Sequence, residues 1–418
     1  EEGRRFFAAQ QKNYLDEMYA FLREIGVKAP ICGTNLELTA GDLWASQNMD
    51  FMNDHTYYGS ASTGGGYWQP MDTSVVNAPL SAVQIFNEII HSRLSDKPVV
   101  CTEWSFVYPN VYRQEGYPFT AAFTAYQGID AMFSFDWASS YLPGLYYLVR
   151  HQQIVCLSQV CDPSTWGLNQ AAAVAVLRGD IKSANHKITL KYSEDDIWSN
   201  RRQLASTVSF LYQMARVDIA QPQPGVKNQW PIGTNMDGEA LFHDAVKKLG
   251  IDAGTDYVVS DTKELIRFSD PGLMLVDTPK SQFAIGALAS MNGASRRKLS
   301  AFEINSPMKF ATLTFSSLDN LPLKTSRRIL CCAVGNSANE KSKIDSKGYY
   351  EAGKGPVLSE PFYAEISAQA ISGSPLTVYK IDPATGKRLG KLAVASANGR
   401  ETFNLDKTCQ TMYFELVR

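Results

Sequence analysis

Pro98-Val-Val-Cys-Thr-Glu-Trp104 is a short apolar run closed by a carboxylate and a large aromatic ring. Its length and composition predict a strand with Glu103 at the C-terminal end. Helical and strand-like stretches alternate on either side of it. Residues 4–26 predict one amphipathic helix, with Phe7, Tyr14, Met18, Phe21 and Leu22 at helical spacing and Gly26 where a C-cap belongs. Residues 27–35 predict a short strand, 41–46 a brief helix, and 49–52 a second strand that runs into Asn53-Asp-His-Thr-Tyr-Tyr58. Residues 82–94 predict a helix before the Glu103 strand, and 117–127 a helix after it. Residues 131–137 predict a fourth strand, and 163–178 a closing helix. Short apolar strands alternating with helices imply a parallel α/β sheet covered by helices. Polar and aromatic residues gather at the strands' C-terminal ends, where such sheets bind ligands.

Beyond Gly179 the texture changes. Residues 181–300 read as a mixed α/β segment, with a hairpin expected around Asp277-Thr-Pro-Lys280. Residues 301–418 read as short strands parted by Asn, Gly and Pro, the pattern of a β-sandwich. The expected division is therefore 1–180, 181–300 and 301–418.

Composition excludes several classes of function. The 418 residues are 44% apolar and 20% charged, with a formal net charge of -2. Lys and Arg are scattered, so no basic stripe points to nucleic acid. Apolar runs such as 171–177 fall far short of a membrane span. The seven Cys are odd in number and include the adjacent Cys331-Cys332, a poor disulfide framework. Cys156 and Cys161 stand close enough to pair, yet read as reduced. The five His show no zinc-type spacing, and neither a metal nor a cofactor is expected. Aromatic residues are abundant; flat rings serve sugar stacking and core packing alike. The chain opens Glu-Glu-Gly-Arg-Arg, without an initiator Met or a signal peptide, which is read as either a removed leader or the absence of a larger N-terminal piece, the four-strand count favouring the second.

A carboxylate at the end of a buried strand is held on a rigid element and projects toward solvent. Such a group attacks the anomeric carbon in retaining glycosidases, with a second carboxyl about 5–5.5 Å away as acid and base. The same acid can instead cap a helix or pair with an Arg. Other chemistries lack their marks. Gly64-Gly-Gly66 has no Lys or Ser/Thr of a P-loop, no Gly-x-Ser-x-Gly elbow occurs, and Cys101 reads as packing.

Thr102-Glu103-Trp104 closing an apolar strand resembles the nucleophile motif of strand seven in clan A glycoside hydrolases, in the manner of families 5 and 42. Phe133-Ser-Phe-Asp-Trp137 resembles the end of strand eight, where the family places a Trp beneath the sugar. Residues 53–58 are similar to the end of strand six, whose His and Tyr orient the nucleophile, and Ile31-Cys-Gly-Thr-Asn35 takes the place of strand five. The resemblance implies the second half, strands five to eight, of a (β/α)8 TIM barrel. It also implies retaining hydrolysis of a β-linked glycoside, without a cofactor, on an oligosaccharide or polysaccharide, in a secreted or periplasmic setting. The acid/base Glu is then expected upstream of residue 1. Asn87-Glu88, the one Asn-Glu pair in this half, falls in a predicted helix.

Within that frame Glu103 is the nucleophile. His55 donates to Glu103 or to a sugar hydroxyl, or else satisfies a loop carbonyl. Tyr57 stabilises the carboxylate, and Asp54 is a candidate partner for His55 or a turn cap. Trp137 is the stacking platform, or core. Trp68 forms a subsite wall, or orders its Gly-rich loop. Asn35 binds a sugar hydroxyl, or ends its strand. Two rival readings are a non-catalytic carbohydrate-binding or scaffold protein, and a C-terminal β-domain that binds a polysaccharide or a second subunit in a homo-oligomer.

Overall fold

The computed structural model describes residues 2–35, 39–59, 62–64, 67–69, 74–138, 153–155, 157–192, 197–198, 208–221, 238–344, 350–351 and 353–418. Helix Glu2–Glu24 stops before Gly26, whose φ of 92° is left-handed. Its inward stripe carries Ala8, Leu15 and Tyr19. The aromatic stripe at seven-residue spacing, Phe7, Tyr14 and Phe21, faces outward. The next helix, Ala40–Ser46, begins on a capping box in which Thr39 and Asp42 satisfy each other's backbone N–H.

Three parallel strands form the first sheet, in the order Met52–Tyr58, Val99–Phe106, Ala131–Ser134. The central one is the Glu103 strand. Helix Gly116–Gln127 is buried over nearly its whole length, because it lies between this unit and a second sheet. The helix ends at Gly128, with φ 63°. Arg93 donates to the Gln127 and Gly128 carbonyls there, and pairs with Asp218 at 3.0 Å. Asp218 belongs to Arg216–Ile219, which pairs in parallel with Lys187–Leu190.

The eight-stranded parallel barrel is not seen. Among the described residues, parallel pairing is limited to that three-stranded sheet, the two-stranded one and a single Leu94–Ile219 bridge, and antiparallel strands dominate. Residues 27–35, expected as a strand, form none. Several of their backbone groups bond to side chains instead: Arg23 donates to the Val27 and Ala29 carbonyls at 2.7 and 2.9 Å, and Asp50 accepts from Ile31 N–H at 2.8 Å. The later strands could not be parallel. Those from Tyr257 to Gly286 follow one another through three to five residues, whereas a parallel pair needs a crossover of a dozen or more.

These strands belong to a nine-stranded antiparallel sheet. Its order is Arg388–Leu392, Thr377–Ile381, Tyr413–Val417, Arg328–Val334, Ala311–Ser317, Ser281–Gly286, Leu273–Asp277, Leu265–Phe268, Tyr257–Val259. The sheet runs across residue 300 without a break. It is covered on both faces, so successive residues enter different cores. Met274, Val276, Phe283, Ile285, Cys332 and Val334 face the helices Gly116–Gln127 and Asn169–Leu177. Leu273, Leu275, Ala284, Leu313, Phe315 and Cys331 face a four-stranded sheet, Phe302–Asn305, Ala364–Gln369, Arg400–Leu405, Val394–Ala397. Phe302 stacks on Phe315 with ring centroids 3.8 Å apart.

Buried polar contacts tie the parallel unit to the β-region. Arg113 pairs with Asp162 at 2.7 Å and donates to the Ser337 carbonyl at 2.9 Å, while Ser337 Oγ donates to Asp162. The amide of Asn339 bonds both the N–H and the C=O of Ile154. No described helix is long and apolar enough to cross a membrane.

Candidate active site

The site is built by two neighbouring strands. In Met52–Tyr58, Asp54, Thr56 and Tyr58 are buried, while His55 and Tyr57 alternate with them toward solvent. In Val99–Phe106 the alternation breaks, and Thr102 and Glu103 in succession are both only partly buried. The register explains this. Asp54 lies opposite Cys101 and His55 opposite Glu103, so Thr102 is the extra residue of a bulge. The bulge turns Thr102 and Glu103 together toward His55.

The Glu103 side chain is 31% exposed. Tyr57 donates its hydroxyl to Glu103 Oε2 at 2.5 Å, and His55 Nδ1 lies 3.3 Å from the same oxygen. His55 Nε2 is 3.0 Å from Thr102 Oγ1 and 3.3 Å from Asn35 Nδ2. Asn53 Oδ1 accepts from both the N–H and the hydroxyl of Thr102. A phenol donor and an imidazole on one carboxylate oxygen orient that group and leave its other oxygen for a ligand. Such a carboxylate can act as nucleophile, base or anchor.

Of the residues singled out in the sequence, Asn35, His55, Tyr57 and Glu103 converge. Trp137 stands beyond the end of the neighbouring strand, where Phe135 N–H bonds the Trp104 carbonyl. Its ring packs edge-on to Trp166 at 4.3 Å and remains 52% exposed, so it is not core. Trp68 lies in the short strand Tyr67–Gln69 opposite Thr63, and its side chain falls outside the described residues, as do Gly65 and Gly66. The Asp54 carboxylate accepts from the His55 backbone N–H at 2.8 Å and from Ser92 Oγ at 2.6 Å. Cys101 is buried, which pushes its thiol up to about 12 and leaves it protonated at neutral pH. Burial raises the Cys161 thiol above its usual value, and Cys156 lies outside the described residues.

Asn53 and Thr102 were not predicted as site residues. Their visible signal is slight: a polar residue in each of two adjacent strands, two positions before His55 in one and one before Glu103 in the other. The bulge that joins them has no mark in a single sequence.

No family model matches the chain, and no curated protein or solved structure matches it.

Proposed function

We propose that the chain carries the nucleophile of a retaining glycoside hydrolase that acts on β-linked glycosides, and that Glu103 is that nucleophile. The observation that carries this reading is the partly exposed Glu103 carboxylate at a bulge in the central parallel strand, with the Tyr57 hydroxyl donating to one oxygen and the His55 ring beside that same oxygen. The resemblance of residues 53–58, 102–104 and 133–137, on three neighbouring parallel strands, to clan A glycosidases supports it. The reading stands on the site and not on the fold, since chemistry and fold are separable.

In the proposed reaction the free Glu103 oxygen attacks the anomeric carbon. A glycosyl ester forms, the bond to the leaving oxygen breaks, and that oxygen takes a proton from a general acid. Water then attacks the same carbon and gives its proton to the conjugate base. The ester breaks and Glu103 returns to carboxylate. Trp137 offers its exposed ring to the apolar face of a sugar, and Asn35 offers its amide to a hydroxyl. The acid/base carboxyl is not assigned to any residue.

That last point keeps a second reading in play, a protein that binds carbohydrate without cleaving it. Mass spectrometry after exposure to a panel of 2-deoxy-2-fluoro glycosides separates the two. A sugar adduct mapping to the peptide with Glu103 identifies the nucleophile and the sugar. Binding of glycans without any adduct would sink the enzymatic reading.

A further inference from the structure

Proton positions in the cluster follow from its donors and acceptors. The backbone N–H of Thr102 lies 3.2 Å from Asn53 Oδ1, which fixes the Asn53 amide: turned over, it would set NH2 against N–H. The Thr102 hydroxyl oxygen lies 2.9 Å from the same Oδ1. Two oxygens at that distance need a proton between them, and Asn53 Oδ1 has none to give. The single hydroxyl proton of Thr102 therefore points to Asn53. Toward His55 Nε2, 3.0 Å away, Thr102 presents only a lone pair.

We propose that Asn53 and Thr102 are positioning residues that hold a proton on Nε2 of His55, so that the ring donates to Glu103 from Nδ1 only when it is doubly protonated. The neutral ring turns a lone pair toward Glu103 Oε2, and the carboxylate then keeps Tyr57 as its donor. Among the described residues, the groups that face the ring are Glu103 and Thr102 from the central strand and Asn35 from the preceding segment. Asn35 Nδ2 lies 3.3 Å from Nε2. With that nitrogen protonated, the contact becomes a hydrogen bond when the Asn35 amide turns its oxygen to the ring. Asn53 and Thr102 thus couple the protonation of His55 to the charge it meets on Glu103. The catalytic meaning of this coupling rests on Glu103 being the nucleophile; the proton assignment does not.

The test is long-range 1H–15N correlation NMR of full-length protein labelled with 15N-histidine, recorded where the rings are neutral. The His55 signals are identified by their loss in His55→Gln. Wild type is expected to show the Nε2-protonated tautomer. Thr102→Val removes the acceptor and shifts the ring toward the Nδ1-protonated tautomer, and Thr102→Ser restores the wild-type pattern. Unchanged signals from the other four His report that the variants fold. A wild-type ring protonated on Nδ1, or one tautomer shared by wild type and Thr102→Val, overturns the proposal. Fluoroglycoside labelling of the same samples distinguishes the two readings. The expected tautomers without any adduct remove the nucleophile and leave the positioning role. An adduct with unchanged tautomers does the reverse.

Discussion

Glu103 and Tyr57 share the shortest contact of the site, a 2.5 Å bond from a phenol to a carboxylate. Bonds to a charged partner contribute about 1.5–3 kcal/mol. Tyr57→Phe is accordingly expected to slow adduct formation by roughly 10- to 100-fold. Glu103→Gln is expected to abolish it, and both are read from intact mass against time. Equal labelling rates in wild type and Tyr57→Phe would show that the phenol plays no part. Trp137→Ala should leave the labelling rate at saturating reagent unchanged while raising the half-saturating concentration up to about tenfold, because an exposed ring contributes binding area rather than chemistry.

At the scale of elements, burial rather than hydrophobicity decides which residues matter. Helix Glu2–Glu24 carries Leu15 inward, 9% exposed, and Phe7 outward, 72% exposed. In urea unfolding, Leu15→Ala should therefore cost about 2 kcal/mol. The double variant Phe7→Ser, Phe21→Ser should stay within about 0.5 kcal/mol of wild type. A larger loss in the double variant would mean that the aromatic stripe packs against something. The buried pair Arg113–Asp162 works differently. Asp162→Ala strands a buried guanidinium and should cost about 3–5 kcal/mol, whereas Arg113→Met with Asp162→Leu should recover most of that. Denaturation midpoints of the single and double variants read the contrast directly.

Across the whole molecule two buried groups make stability depend on pH with opposite signs. Burial holds His91 down at about 4, below its usual 6.5. Between those values the unfolded chain binds the proton and the folded one does not, so stability is lost as pH falls from about 6.5 to 4. Burial raises Glu115 to about 7, against its bonds from the backbone of Val75 and Val76 and from Ser74, and against nearby Arg267. There the folded chain holds the proton, and stability is lost as pH rises from 4.5 toward 7. Each effect is on the order of 3 kcal/mol, so the two largely cancel in wild type. His91→Asn should expose the falling slope and Glu115→Gln the rising one, measured as Tm between pH 4.5 and 7. Parallel slopes in the two variants would refute the assignment. The sequence by itself determined the strand that carries Glu103, though that strand runs on to Phe106, the helix after it and the hairpin around residues 277–280, and it singled out Asn35, His55, Tyr57 and Glu103 alongside Trp68 and Trp137. These depend on local periodicity and turn residues. It did not determine the sheet partners. Residues 27–35 are apolar enough for a strand, yet Arg23 and Asp50 take up several of their backbone groups. The bulge at Thr102 and the two-faced burial of the nine-stranded sheet were likewise settled only in tertiary structure. Pairing, register and coverage depend on which distant segment supplies the other half of each hydrogen bond and each contact.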